Sequence, residues 1–482
     1  MANFPDNPSV GSTAIINGIS YTYNGSAWDG STSSSSGGGS GGSSGVSQII
    51  AGSGISVSSN TGNVTVSATG GGGSTGGGST VNDARLRGDM RNIDELYTGD
   101  WAAAFNAAGQ THGGDWWVPT RNYTINDPII ITQDGTKFVG DESAKPKLTF
   151  NFTASTATAN GITSNNKFAL WAAAKFRVRG IYFEWSGSRT DNEKDSALLL
   201  FQKGNTNNGQ RDDMDSSIDN CTFSNARHNL TTLGAASITY YGRNMRVTGC
   251  TFSSGSGSGD IRAIALSYTP NANDTTDGQT LATGGHRRNF VTGNTFHMKK
   301  TSVCVEVFKG TNVSTGIIAG LMITSNINDV GGSLLRINNG VYADGTVITG
   351  NSCIRSSHTP YVDILSGGKL RSSTITGNSF GNIDATKNND SDGIHLQTGG
   401  EMRDVTITGN AFGAPENACI KLDGTYSRLV ITGNIFDKMH GAGSVAVAAG
   451  SANNSAVLVA NSTDNLTLTS GSTSNWQIAN NI

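Results

Sequence analysis

One short phrase recurs along this 482-residue chain and limits what the chain can fold into. It reads "RLVITGNIF" at 428–436, and returns as "DVTITGNAF", "SSTITGNSF", "GTVITGNSC" and "NFVTGNTF", with worn copies in "LMITSNIND" and "MRVTGCTF". Aligned on the residue two before the aromatic, the copies fall at Cys221, Cys250, Asn294, Asn326, Asn351, Asn378, Asn410, Asn434 and, in the weak copy "VLVANST", Asn461. The spacings are 29, 44, 32, 25, 27, 32, 24 and 27. A loose period in this range marks a solenoid, whose units bury a core only by stacking on neighbours.

Each unit carries a second strand after the phrase: "VCVEVF", "LLRIN", "YVDIL", "GIHLQ", "CIKLD" and "VAVA". These alternate with period 2 and no helix lies between them, which excludes a TIM barrel and a Rossmann sheet. One coil per repeat, with like strands stacked in parallel ~4.8 Å apart, is an all-β, single-stranded parallel β-helix. On this reading the Val or Ile before the Thr and the Phe after the turn face the core. The Gly-Asn pair makes the bend between two sheets, both residues tolerating φ > 0. Stacked Asn side chains then hydrogen-bond along the rod, pairing buried polar groups that would otherwise be costly. Cys221 and Cys250 occupy Asn slots of adjacent coils; a disulfide is conceivable there, and small buried thiols are the expectation.

Composition agrees with a turn-rich β protein: 65 residues are Gly, roughly twice the usual ~7%, and only 14% are charged. A net charge of −3 argues against nucleic acid or an anionic membrane as partner. No 18-residue apolar run exists, so no membrane insertion is expected. The five scattered cysteines form no C-x-x-C, which predicts reduced thiols, no metal site and no cofactor. "MANFPDNPSVG" has no basic or apolar signal segment, so a soluble protein made in a cytoplasm is expected.

Two Gly/Ser linkers, 31–45 and 70–80, divide the N-terminal sixth. They isolate a β module at 1–30, with two Asn-Gly hairpin signals, and a smaller one at 46–69 with a turn at Asn60–Gly62. Neither holds enough apolar mass to stand alone. Residues 81–115 form a neck with one capping helix, in which Asp100 is the N-cap and Trp101, Ala104, Phe105 and Ala108 make the apolar face. The β-helix is assigned to 116–482.

Function then belongs to the variable text between the copies, because solenoid turns accept insertions at the surface. The longest interval holds "YTPNANDTTDGQTLATGGHRRN", whose Tyr268, His286, Arg287 and Arg288 suit hydrogen bonding to a polar ligand or to a neighbouring chain. In the second strand, the outward position of successive repeats is Glu306, Arg336, Asp363, His395 and Lys421, ending at Ala446. Stacking places these in one column, with Arg336, His395 and Lys421 available to a substrate. Glu306 and Asp363 are then two coils apart, close enough for flexible carboxyls to act as the acid and base of an inverting glycosidase. The competing expectation is a ladder of opposite charges that keeps the sheet soluble, with Arg336 holding both carboxylates ionised. Trp185, Tyr268, Tyr342, Tyr361 and Tyr426 are candidate ligand-contacting aromatics.

The stretch "WAAAFNAAGQTHGGDWWVPTRNYTINDPIIITQDGTKFVGD" resembles the opening of the pectate-lyase-like right-handed parallel β-helices of bacteriophage tailspikes. In that family an Ala-rich helix caps the first coil, followed by Gly-Gly, Pro-x-Gly-x-Tyr and a strand ending in Leu/Val-x-Gly. Gly113, Gly114, Pro119, Tyr123 and Gly140 match, whereas Arg121 replaces the family's glycine and the usual acidic start is reduced to "YTGD". "YTYNGSAW" and "IIAGSGISV" with "TGNVTVSA" are similar to N-terminal segments of tail fibres and spikes, particularly of cyanophage-type viruses. The resemblance implies a homotrimeric receptor-binding protein, held to a phage tail or adaptor protein through residues 1–30 and acting at the host cell surface. It implies a host surface polysaccharide, such as lipopolysaccharide, as ligand. Three function classes follow: a binding protein, a depolymerase cutting the polysaccharide by hydrolysis or elimination, and a purely structural virion fibre.

Overall fold

The structure is a computed structural model. It describes residues 8–16, 19–31, 55–57, 66–68, 90–153, 155–159, 161–164, 167–186, 196–202, 215–224, 236–242, 244–253, 262–267, 288–298, 302–309, 316–329, 332–354, 359–381, 392–413, 418–437, 445–450, 454–463, 467–471 and 474–481. The chain forms two compact units, Met1–Val81 and Asn82–Ile482.

In the first unit, the strands Thr13–Ile16, Ile19–Tyr23 and Trp28–Ser31 form an antiparallel sheet. Asn24 organises the second turn by accepting the N–H groups of Ser26 and Ala27 on its side-chain oxygen, beside Gly25 at φ +102°. Ile55–Val57 and Val66–Ala68 pair as a separate antiparallel hairpin, whose turn lies outside the described residues.

The second unit is a parallel β-helix. A coil such as Val347–Thr349, Ser352–Cys353 and Val362–Ile364 contributes one strand to each of three parallel sheets, here numbered 1, 2 and 3 in that order. Sheets 2 and 3 each contain 12 strands, so stacking begins well before the first recognisable phrase. The early coils escape the sequence pattern because Tyr123, Leu148 and Phe183 occupy the aromatic slot without a Thr-Gly-Asn word before them. From Gly316–Ala319 onward an extra strand precedes the phrase, as in Val341–Asp344 and Thr425–Ser427, and sheet 1 widens. The neck also joins sheet 1, since Arg91–Asn92 pairs with Asp115–Trp117.

The bend differs from expectation in one respect. Only the glycine takes the left-handed backbone, with φ between 61° and 65° at Gly249, Gly293, Gly350, Gly377, Gly409 and Gly433. The Asn after it keeps an ordinary backbone and turns its side chain inward. At Gly377 an added Cβ would meet nothing within 4 Å, so dihedral freedom and not space selects glycine there. Worn copies tolerate the strain with Asn220 (φ 48°), Ser325 (φ 56°) and Ala460 (φ 52°).

Each Asn of the ladder uses both its donors and its acceptor. Asn351 Nδ2 donates to Asn378 Oδ1 at 2.9 Å and to the Ile323 carbonyl at 2.9 Å, while its own Oδ1 accepts the N–H and Nδ2 of Asn326. The ladder runs unbroken from Asn294 to Asn461 and adds a rung at Asn481, which the sequence alignment missed. Cys250 starts it by donating its N–H to Asn294 Oδ1 at 2.9 Å. All five cysteines are buried free thiols.

Inside sheet 2 the aromatics stack face to face: Phe223 lies 4.9 Å from Phe252, and Phe252 lies 5.1 Å from Phe296. Asn328 and Cys353 interrupt this column, and Tyr361, just before the sheet-3 strand Val362–Ile364, stacks on Phe380 at 5.4 Å to resume it. The N-terminal end is closed by three short helical turns and not by one helix: Ile93–Leu96 (3₁₀), Trp101–Asn106 (α) and Ala107–His112 (π). Tyr97, with extended backbone, ends the first, and Asp100 restarts the chain by accepting the N–H groups of Ala102 and Ala103. Phe105 plugs the core against Tyr123 and Phe138, whereas Trp101 stays half-buried. Among the described residues no helix is long and apolar enough to cross a membrane.

Candidate functional site

The outer face of sheet 3 changes character along the rod. Its central column reads Ile130, Trp171, Leu200, Thr239 and Ala265 over the first coils, then Glu306, Arg336, Asp363, His395 and Lys421. The apolar part is sealed, with Trp171 and Leu200 buried among Phe168, Ala173, Ala197 and Tyr241. The charged part has the register the sequence predicts, save at its end. Lys421 pairs with Ala448; Ala446 lies in the core, because the strand Val445–Ala449 is set two residues from the expected register.

The two carboxylates at the start of the charged run are buried, at 1% exposure for Glu306 and 2% for Asp363. Among the described residues Arg336 hydrogen-bonds to Asp363 and not to Glu306. Its Nε lies 3.3 Å from Asp363 Oδ2, while Glu306 Oε2 accepts from Arg262 Nη1 at 2.8 Å. The second oxygen of each carboxylate is also occupied: Asn338 Nδ2 donates to Glu306 Oε1 at 3.0 Å, and Gln397 Nε2 to Asp363 Oδ1 at 2.9 Å. Arg262 lies in the preceding strand, across from Val303, and its guanidinium also covers the Phe308 ring.

One coil further the network opens to solvent. His395 Nε2 lies 3.0 Å from Asp423 Oδ2, and its Nδ1 lies 3.7 Å from Asp392 Oδ2. Lys421 Nζ sits between the same two carboxylates, 3.9 Å from Asp392 and 3.6 Å from Asp423. Asp392 is the buried member. Burial pushes its carboxyl pKa upward, against the pull of Lys421, His395 and the Ala418 N–H. Lys421 and Asp423 are each about one-third exposed. Carboxylates, an ammonium, an imidazole and two amides thus lie side by side on one strip, where they can donate to and accept from a hydroxyl-rich ligand.

Sequence reasoning missed Arg262, Asn338, Asp392, Gln397 and Asp423. Asn338, Gln397 and Asp423 stand two residues after Arg336, His395 and Lys421, so period-2 alternation already places them on the same face. Asp392 and Arg262 carry no such signal.

Of the other candidates, Tyr268, His286 and Arg287 lie outside the described residues, and Arg288 is exposed just before the sheet-1 strand Phe290–Thr292. Trp185 and Tyr426 belong to the core, and buried Tyr361 donates its hydroxyl to the Gly381 carbonyl at 2.7 Å. Tyr342 alone of the four described aromatics is half-exposed. Its ring is flanked by Lys369 Nζ at 4.7 Å and the Arg371 guanidinium at 4.9 Å. Both cations also bind Glu401, whose pKa is lowered: burial opposes the shift, and pairing to Arg371 and Lys369 outweighs it. This second polar patch sits on the extra strands of sheet 1. Its signal was a constant offset, because Tyr342, Lys369 and Glu401 each precede a ladder Asn by nine residues.

No protein-family model and no curated protein matches the chain. Among solved structures it is similar to tailspike protein 3 of bacteriophage CBA120, at 13% identity and a TM-score of 0.40, covering 98% of this chain and 73% of that one. It is also similar to a tailspike protein variant of E. coli bacteriophage HK620 in complex with a pentasaccharide, at 13% identity and a TM-score of 0.47 over 81% and 68% of the two chains. A third is the catalytic domain of a GH87 alpha-1,3-glucanase in complex with nigerose, at 11% identity and a TM-score of 0.48 over 79% of this chain and 66% of that one.

Proposed function

We propose that this chain is a phage tail receptor-binding protein, a tailspike or tail fibre, that attaches the virion to a host surface polysaccharide such as lipopolysaccharide. The observation that carries the reading is the polar strip on sheet 3, which passes from sealed ion pairs at Glu306 and Asp363 to open groups at His395, Lys421 and Asp423. Its successive side chains are ~4.8 Å apart and rigidly backed, which suits an extended chain of hydroxylated rings. Residues 1–30 are the virion-attachment module, 46–69 a second small module, and the linkers 31–45 and 70–80 joints ahead of the rod. Assembly as a homotrimer belongs to the same reading, since the N-terminal modules lack a core of their own.

The test is binding of purified protein to lipopolysaccharide extracted from a panel of cyanobacterial strains. Retention by at least one extract, weakened about tenfold or more by Lys421→Ala or His395→Ala, is the expected result. Retention unaffected by both variants places the ligand elsewhere on the rod.

A depolymerase is the second reading, favoured by Asp392. A buried carboxyl with a raised pKa is what a general acid requires, and Asp423 stands across Lys421 and His395 from it. Glu306 and Asp363 are the alternative pair, each held by an arginine and an amide. Shortening of a bound polysaccharide that is abolished by Asp392→Asn and spared by Glu306→Gln and Asp363→Asn selects the first pair; the reverse pattern selects the second. Binding without shortening leaves the protein an adhesin.

A further inference from the structure

We infer that the polysaccharide segment held by the sheet-3 strip is uncharged: hydroxylated sugars without carboxylate or phosphate groups. The inference rests on the receptor-binding reading above and deepens it by naming the class of ligand. Among the described residues, the strip carries three permanent cations, Arg262, Arg336 and Lys421, and each already faces a carboxylate. Arg262 binds Glu306 and Arg336 binds Asp363, and the two arginine side chains are only 11% exposed. Neither can turn to a ligand without abandoning a carboxylate that is itself buried, which is strongly unfavourable.

At the open end the balance runs negative. Lys421 Nζ stands between two carboxylates, 3.9 Å from Asp392 and 3.6 Å from Asp423, and Asp423 also faces His395 Nε2 at 3.0 Å. With the imidazole neutral, the four carboxylates of Glu306, Asp363, Asp392 and Asp423 meet three cations. Protonating either His395 or Asp392 brings the charges level and leaves no cation in surplus. A ligand carboxylate or phosphate laid here meets like charge at Asp423 and a lysine already shared by two carboxylates. Like charge across an interface suppresses the wrong partner by several kcal/mol. A hydroxyl meets no such bar, because it both donates and accepts. Asp423 accepts from it, Lys421 donates to it, and the half-buried amides of Asn338 and Gln397 carry both kinds of group.

The test starts from any lipopolysaccharide extract that the full-length protein retains. Its polysaccharide is partially hydrolysed, and the oligosaccharides are separated on an anion exchanger into uncharged and acidic pools. Each pool is passed over immobilised full-length protein at neutral pH, in low and in high salt, and the retained sugar is measured. The expected result is retention of the uncharged pool that changes less than about twofold with salt, since screening acts on charges. Lys421→Ala should weaken that retention about tenfold, and the acidic pool should be held at least about tenfold more weakly than the uncharged one. Equal or stronger retention of the acidic pool overturns the inference, as does retention that salt weakens about tenfold. If Lys421→Ala or His395→Ala still weakens the binding in those cases, the receptor-binding reading stands. Retention that neither variant weakens removes the ligand from the strip and overturns both, and so does retention of neither pool.

Discussion

Asn378 Nδ2 donates to Asn410 Oδ1 at 2.9 Å, and the backbone N–H of Asn378 donates to the same oxygen at 3.0 Å. One side-chain oxygen therefore satisfies two donors of the neighbouring coil, while the Asn378 amide also caps the Ile348 carbonyl. Asn378→Ala strands the Ile348 carbonyl together with both donors of Asn351 that Asn378 Oδ1 accepts. At ~1–3 kcal/mol for each buried group left unpaired, a loss of at least ~3 kcal/mol is expected, read as a lower urea midpoint, with the polysaccharide binding proposed above unchanged in the folded fraction. A selective loss of binding would mean the ladder is more than scaffold.

The buried Arg262–Glu306 pair gives a second test. Arg262→Met leaves Glu306 an uncompensated buried carboxylate and is expected to cost about 3–5 kcal/mol. The double variant Arg262→Met/Glu306→Leu removes both charges and is expected to recover most of that loss. A double-mutant cycle on chemical denaturation decides it; strictly additive losses would show that the two side chains do not depend on each other.

Two carboxyls of opposite shift contribute with opposite sign to the pH dependence. The pKa of Asp392 is raised in the fold, so its contribution to stability is complete below the unfolded value of ~3.9 and is lost as pH rises through the folded value. Glu401 is lowered, so its contribution is present above ~4.3 and is lost as pH falls through the folded value. Between pH 3 and 7 Asp392→Asn should therefore gain on the wild type as pH rises, and Glu401→Gln should lose ground. Calorimetric Tm values across that range check both slopes; parallel profiles for either variant would refute its assignment.

Burial also governs the thiols. Desolvation pushes Cys250, Cys304, Cys353 and Cys419 upward, which suppresses the reactive thiolate. Ellman's reagent is expected to label none of the five in the native protein and all five in guanidinium. Rapid native labelling would place at least one thiol at the surface.

The sequence by itself determined the coil. A Thr-Gly-Asn word needs one left-handed glycine, one inward amide and one inward aromatic, and these local requirements repeat wherever the word does. Asp100 as helix cap and the column Glu306, Arg336, Asp363, His395 and Lys421 were legible for the same reason: caps and strand alternation are properties of a few consecutive residues. Tertiary structure decided which partner each charge took. Arg262 reaches Glu306 from a coil separated by the longest interval in the chain, and Asp392 meets Lys421 only because their coils stack. Contacts across coils depend on the number of residues looped out between strands, and that number varies while the 4.8 Å step does not. The sequence therefore specifies what each coil offers, and the stacking determines what it meets.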